Sequence, residues 1–564
     1  MKRLQYSFFI VGLTIWLVSC TDDFASINSN PQVMDIPKPE YLFARVTNSL
    51  QDGTSAWLYE SFEQYFRWSQ LMTTESYEPG SMDMNSRYNN LYGTILPYLY
   101  ETRLQIEMLP ENERGEYMKM WAATYVIQAY SVLRVTDAVG SMPYKEAILA
   151  RTEEKYDPVY DTQKSIFDDL YDQLTEAIRI LQDGSLPQST YQPAADIFYN
   201  FNWTKWNRLA NAVLLKLALR YEGQDQAKAI AIFRQVMTDA GGVMTDNSDG
   251  FIFINPDGQP FGAGDTDYRS RRYTSRHVVN FLKKTQDPRV HIYCDPNSLV
   301  DDFRDSLALY DIDLPDFIDV DDPLIQYQGG AVNWTDPDSY WIKATLDVSN
   351  STKYALISGI NRRFFSPRYS GGTGPFTDLL LSYAEVCFYI AEYIQKWYGS
   401  VFDTKGSAED WYKKGVRASI LKMSDIARDA VAYPPGYQAP NDEELNAIID
   451  DYLEHPDVKF DGVNDFEKIM IQQFLNFYRS GPESFSFARR TGYPKYASTI
   501  LKGDPLEGDI PRRLWTVEPM SLNRSKWEDA YREQGFTLRD NTPCVLSRER
   551  LWWDKNNPAY GQVQ

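Results

Sequence analysis

Trp203-Thr204-Lys205-Trp206-Asn207-Arg208-Leu209-Ala210-Asn211-Ala212-Val213-Leu214-Leu215-Lys216-Leu217-Ala218-Leu219-Arg220-Tyr221 is the stretch whose reading decides the fold. Trp203, Trp206, Ala210, Val213, Leu217 and Tyr221 recur at three- and four-residue steps, which gathers them on one face of a helix. Asn202 stands where an N-cap belongs, and Gly223 where a helix stops. A second helix over 224–238 follows after a tight break. The same period predicts further pairs: 113–135 with 162–181, 377–398 with 408–421, and 465–478 with 482–490. Gly399 reads as a helix terminator. Roughly four pairs of TPR-like length predict a mainly helical, curved scaffold, without the strict register of a regular array.

Between the pairs lie two long segments, near 241–275 and 287–376, rich in Gly, Pro, Asp and aromatics. Loops of that length in an ordered body are usually functional. A short strand is expected over 250–255. Because the helix pairs run from end to end, residues 40–564 read as a single body carrying loop insertions.

The chain has 564 residues, 43% of them hydrophobic and 24% charged, enough to bury a large core. Its net charge of −21 argues against nucleic acid, whose phosphates need a basic face. Forty Tyr and 14 Trp raise the aromatic share to 15%; such rings fill cores, and they also suit sugar and peptide surfaces.

At the N-terminus, Lys2 and Arg3 precede an apolar run from Phe8 to Val18. The run is too short to span a bilayer, which takes about 20 apolar residues. It reads as a signal peptide over 1–19, closed by Leu17-Val18-Ser19. Cys20 directly after the cut looks like the cysteine of a bacterial lipobox, lipidated and made the mature N-terminus. Residues 20–39, with Asn28, Asn30, Pro31, Pro37 and Pro39, read as an extended tether. The remaining cysteines, Cys294, Cys387 and Cys544, are too few for a disulfide framework. Cys387 reads as packing, and a Cys294–Cys544 bridge stays open.

Signatures of enzymes are thin. His277, His291 and His455 are the only histidines, and HExxH, CxxC, GxSxG and a complete P-loop are all missing. Gly262-Ala263-Gly264 begins a dinucleotide-like fingerprint, but Asp267 stands at the third glycine. Glu385 and Glu392 lie two turns apart on one helix, about 10 Å by helix rise. That is slightly beyond the carboxyl spacing of inverting glycosidases, about 6.5–9.5 Å. Structural carboxylates paired with Arg489 and Arg490 are the favoured reading. The acidic run Asp311, Asp313, Asp316, Asp319, Asp321 and Asp322 offers oxygen ligands for a structural calcium, but lacks EF-hand order; a solvated loop is favoured, with no cofactor.

Four loop groups carry the ligand-binding expectation. They are Tyr77 with Arg87, Tyr88 and Asn89; Tyr268 and Arg269 with Arg271, Arg272 and Tyr273; Asn333-Trp334 with Tyr340-Trp341; and Tyr369 with Gly371-Gly372. A ring stacked on a sugar's apolar face, flanked by Arg and Asn donors, is what reading hydroxyls requires.

Several stretches together resemble the SusD/RagB family of surface nutrient-binding lipoproteins, in particular its second SusD-like subgroup. They are Cys20-Thr21-Asp22-Asp23-Phe24, Arg134-Val135-Thr136-Asp137-Ala138-Val139-Gly140-Ser141-Met142-Pro143-Tyr144, the helix from Trp203, Ser382-Tyr383-Ala384-Glu385-Val386, Ala488-Arg489-Arg490-Thr491-Gly492-Tyr493-Pro494, and Ile510-Pro511-Arg512-Arg513-Leu514-Trp515. Thr21 to Phe24 are similar to the acidic signal of outer-face Bacteroidetes lipoproteins. The resemblance implies a TPR-containing body with a loop-rich face, held at the cell surface of the outer membrane by the Cys20 lipid. It further implies a lid on a TonB-dependent, SusC-like transporter, which captures an oligosaccharide or a peptide without catalysis. The shared motifs read as structural, so Trp203, Glu385, Arg489 and Arg512 are not expected to touch ligand. A surface glycosidase, or a structural lid with little binding of its own, stands as the alternative.

Overall fold

The structure, a computed structural model, describes residues 37–74, 84–187, 191, 195–256, 258, 272–299, 303, 313–316, 318–332, 345–349, 352–398, 405–506, 508–516 and 518–562. The expected signal peptide, Cys20 and most of the tether lie outside these residues, as do Tyr77, Tyr268, Arg269, Trp334, Tyr340, Trp341 and Gly399.

The fold is mainly helical. Helix α1 (Pro39–Thr47) packs on α2 (Leu96–Met108), which turns into the long α3 (Glu111–Val139). α4 (Gln163–Leu181) lies along α3, and α5 (Trp203–Tyr221) is joined by a short turn to α6 (Gln226–Thr238). Strand β1 (Phe251–Asn255) pairs antiparallel with β2 (Phe376–Leu381), from Phe251 opposite Leu381 to Asn255 opposite Phe376. Beyond β2 come α7 (Tyr383–Tyr393), α8 (Ala408–Asp429), α9 (Asp465–Asn476) and α10 (Gly481–Thr491).

The deciding helix forms as its sequence dictates. The Asn202 side chain accepts from Lys205 N at 3.2 Å, and α5 runs from Trp203 to Tyr221. Its polar face, however, is covered too. Lys216 is 1% exposed and Arg220 2%, because α5 lies at the centre of the helical layers. Lys216 Nζ meets Glu385 at 3.1 Å and Glu483 at 3.0 Å, while Arg220 Nε donates to Asp137 at 2.7 Å. A charge buried without a partner costs several kcal/mol, so these carboxylates are what allow the helix to sit there.

Two predicted elements come out differently. The expected helix over 377–398 is a strand, β2, followed by α7 and a wider helical turn over Ile394–Tyr398. Phe376–Leu381 is buried on both faces, and so short an apolar run does not reveal its period. Ser382 separates strand from helix by accepting from Glu385 N at 3.2 Å. The helices expected to pair over 465–478 and 482–490 meet only through side chains such as Phe474 with Phe487 and Gln473 with Arg490, and each has its main packing elsewhere. α9 packs on α7, whereas α10 packs on helical residues 56–68. A 3-10 turn, Phe477–Arg479, and the close approach of Gly481 to Ser61 redirect the chain between them.

One contiguous core joins the helices. A second, small cluster of Leu299, Phe303, Ile318, Ile325 and Leu356 lies within the 287–376 insertion, so that segment carries its own packing. Asn297 Nδ2 donates to both Ile325 O at 3.1 Å and Leu356 O at 2.9 Å, which holds its strands of chain together. Cys294, Cys387 and Cys544 are all free thiols; Cys387 is packing, and no Cys294–Cys544 bridge forms.

Candidate ligand-binding face

Among the expected loop groups, the fourth is described in full. Asn361 caps the short helix Arg362–Phe365 by accepting from Phe364 N at 3.2 Å, which sets Arg362 beside the following turn. Arg362 Nη1 donates to Tyr369 Oη at 2.6 Å, and its guanidinium carbon lies 4.6 Å from the ring centroid. Arg362 Nε donates in turn to Asp295 at 3.1 Å. Burial raises the Asp295 carboxyl above its ordinary range, against the pull of Arg362. Gly372 closes the turn. A Cβ there would lie 1.9 Å from Pro367 O, so no other residue fits without moving the backbone. The result is a half-exposed Tyr369 ring whose position is fixed by an Arg–Asp pair.

A second aromatic group adjoins it. The His291 and Tyr437 rings stack at 4.0 Å and 23°, and Tyr433 lies 5.6 Å from Tyr437. His291 Nδ1 and Tyr327 Oη are 2.9 Å apart. Burial pushes the Tyr433 and Tyr437 hydroxyls above the usual phenol range. Arg363 joins the two groups, donating to Val431 O at 3.3 Å and Ser370 O at 3.2 Å. Tyr433 and Tyr437, both half-exposed, were missed from sequence because their partners come from remote segments. The signal was present in Tyr433-Pro434-Pro435-Gly436-Tyr437, two aromatics in a stretch that cannot be helical.

The first group is not a loop platform in its described part. Arg87 is 6% exposed and bound to Asp52 at 2.6 Å and to Glu60, with Arg134 on the same Asp52 at 2.7 Å. Its hydrogen-bonding edge is therefore used within the core, which corrects its assignment as a ligand donor. Tyr88 lies against Tyr92, ring centroids 4.6 Å apart, and burial pushes its hydroxyl to about 12.

The paired carboxylates are structural. Arg490 Nη2 donates to Glu392 at 2.8 Å, and Lys396 Nζ to the same carboxylate at 2.7 Å. Burial would raise Glu392, but Arg490 and Lys396 outweigh it and hold the carboxyl at about 2. Glu385 bonds Tyr389 and pairs with Lys216. Arg489, expected as a carboxylate partner, instead donates to the backbone oxygens of Asp137 at 2.8 Å and Arg512 at 3.0 Å. Trp203, Glu385, Arg489 and Arg512 are all buried.

Among the described residues no group of His, Cys, Asp and Glu is arranged to hold a metal ion. In the acidic run, Asp319 accepts from Asp321 N at 2.9 Å, and Asp322 accepts from Leu324 N and pairs with Lys283. These acids shape their own turns, and Asp311 lies outside the described residues. Among the described residues no helix is long and apolar enough to cross a membrane.

A SusD-like family model, described as starch-binding and associating with the outer membrane, matches residues 31–309 and 319–515. Solved structures resemble the chain over nearly its whole length. A chitin-binding protein is 22% identical with a TM-score of 0.68, covering 92% of this chain and 100% of its own. A SusD homologue from Bacteroides fragilis NCTC 9343 is 18% identical, with a TM-score of 0.64 and the same coverage. A chitin-binding SusD homologue from Flavobacterium johnsoniae is 18% identical with a TM-score of 0.62, covering 92% of this chain and 99% of its own. At these identities the likeness is one of fold. No curated protein matches the chain.

Proposed function

The chain belongs to the SusD-like family, and from that premise we propose that it captures a nutrient, an oligosaccharide, on its aromatic loop face without transforming it. The observation that carries this reading is the set of half-exposed rings, Tyr369, Tyr433 and Tyr437, tied together by Arg362 and Arg363. Tyr369 held by the Arg362 guanidinium, and Tyr437 stacked on His291, offer rings fixed in advance, so little ordering is left to do on binding. The carboxylates first in question as acid and base, Glu385 and Glu392, are locked in ion pairs away from this face.

The expected contacts Tyr77, Tyr268, Arg269, Trp334, Tyr340 and Trp341 are proposed on the chemistry of their loops as further parts of the same surface. The signal peptide over 1–19, the lipidated Cys20 and the tether to residue 39 are proposed to hold the 40–564 body at the outer face of the outer membrane. There it would pass its ligand to a TonB-dependent, SusC-like transporter. The matched family description supports the membrane association.

Tyr369→Ala tests the surface. The purified variant should lose affinity for the bound glycan by about 5- to 30-fold, given about 1–2 kcal/mol for a stacked ring with a hydrogen bond, while its unfolding midpoint stays put. Unchanged affinity in both Tyr369→Ala and Tyr437→Ala would show that the glycan binds elsewhere.

A further inference from the structure

Away from the loop face, a cleft of about 350 Å³ opens between α2, α3, α4 and residues 144–149. That volume is within the range of ligand pockets, about 300–1,000 Å³. Arg103 lines it and is 8% exposed. Its Nη1 donates to Thr124 Oγ1 at 3.1 Å and its Nη2 to Gln128 Oε1 at 2.8 Å, and the guanidinium lies 4.3 Å over the Tyr125 ring. Both acceptors are neutral. Among the described residues no carboxylate comes within ion-pairing distance; the buried Arg479 and Arg489 likewise lack one but donate to backbone oxygens, whereas Arg87, Arg220 and Arg490 each have one. Burial accordingly holds the Arg103 guanidinium below its usual range.

The rest of the cleft carries charges of both signs. Lys145 stands exposed at its mouth and also has no ion-pair partner among the described residues. Two acids also line the cleft, each hydrogen-bonded by a neutral donor: Glu107 accepts from Trp121 Nε1 at 3.0 Å and Asp169 from Gln173 Nε2 at 2.6 Å, with Glu107 acting on Arg103 and Lys145 on Asp169 only at longer range. Gln128 Nε2 donates to Tyr144 Oη at 2.9 Å and to Gln173 Oε1 at 3.0 Å, so the group that fixes Arg103 is itself fixed. The half-buried Tyr100 adds a ring at the wall. An Arg fork clamped in position, with N–H groups to spare and a second cation at the entrance, is built to take a carboxylate. Tyrosines and amides around it are suited to sugar hydroxyls.

We propose that this cleft is a second binding site, for the carboxylate of a uronic acid, with Arg103 on the carboxylate and Lys145 drawing it in. The site is separate from the loop face and would let the protein hold an acidic sugar while that face is occupied.

Calorimetric titration of the purified protein with digalacturonate, its neutral galactose counterpart and the dipeptide Glu-Glu tests it. Digalacturonate should bind, with affinity falling about 30-fold or more in Arg103→Gln, the loss expected when one partner of a buried charged pair is removed. Lys145→Gln, at an exposed position whose backbone bond to Asp161 the change retains, should weaken binding several-fold, and Tyr369→Ala should leave it unchanged. Absence of binding by digalacturonate, or binding unaltered in both cleft variants, overturns the site. Loss in Tyr369→Ala would place the uronate on the loop face and overturn it as well. Equal binding of the neutral disaccharide refutes the role of the carboxylate, and equal binding of Glu-Glu refutes the sugar.

Discussion

His277 shows how burial alone sets a residue's behaviour. It is 6% exposed, lies against Phe474 and faces Arg276 and Asp504. Desolvation lowers its pKa from 6.5 to about 4. Below about pH 6.5 the unfolded chain therefore takes up a proton that the folded chain refuses until near pH 4. Its contribution to stability is fully present above pH 6.5 and is lost as pH falls from there to 4. Between pH 7 and 4.5 this one group should account for a loss of at most about 3 kcal/mol, read as the amount by which the fall in denaturant midpoint becomes shallower in His277→Phe. An identical slope in that variant would remove His277 from the account. At Arg490 the effect is one of pairing. Arg490→Met leaves Glu392 buried with Lys396 as its remaining cation. The expected loss is about 3–5 kcal/mol in unfolding free energy, with glycan affinity unchanged. The sequence carried half of this: acids dense in an apolar helix pointed to an Arg partner. That Arg490 rather than Arg489 would supply it depended on which face of α10 met α7, and spacing along one chain does not encode that.

Helices whose ends are written in local chemistry were legible. Asn202, Thr162 and Asp225 each accept from the backbone N–H three residues on, and α5, α4 and α6 begin where these caps stand. Asn202→Ala should cost about 1 kcal/mol by chemical denaturation, and Asn202→Gly only a few tenths. A loss well above that would mean Asn202 serves more than its helix. Elements fixed by remote partners were not legible. β2 is a strand because β1, more than a hundred residues earlier, offers its edge. α10 turns from α9 because helical residues 56–68 take its apolar face. Neither partner leaves a trace in the local period.

At the scale of the molecule, the helical scaffold followed from the spacing of apolar residues and the family from its motifs. The candidate face was legible only in part. Tyr369 stood out beside its glycines, and its hold by Arg362 and Asp295 required the fold to bring two remote segments together. Arg87 looked the same in sequence and is spent inside the core. Aromatic and Arg neighbours in a loop thus mark candidates, and burial sorts them. The most direct test of the account is a calorimetric titration of the purified protein with starch- and chitin-derived oligosaccharides, followed by recovery and sizing of the ligand. Saturable heat with the oligosaccharide recovered intact is the predicted result. Sustained heat with shortened products would contradict capture without chemistry, and absence of heat across the series would contradict glycan binding itself.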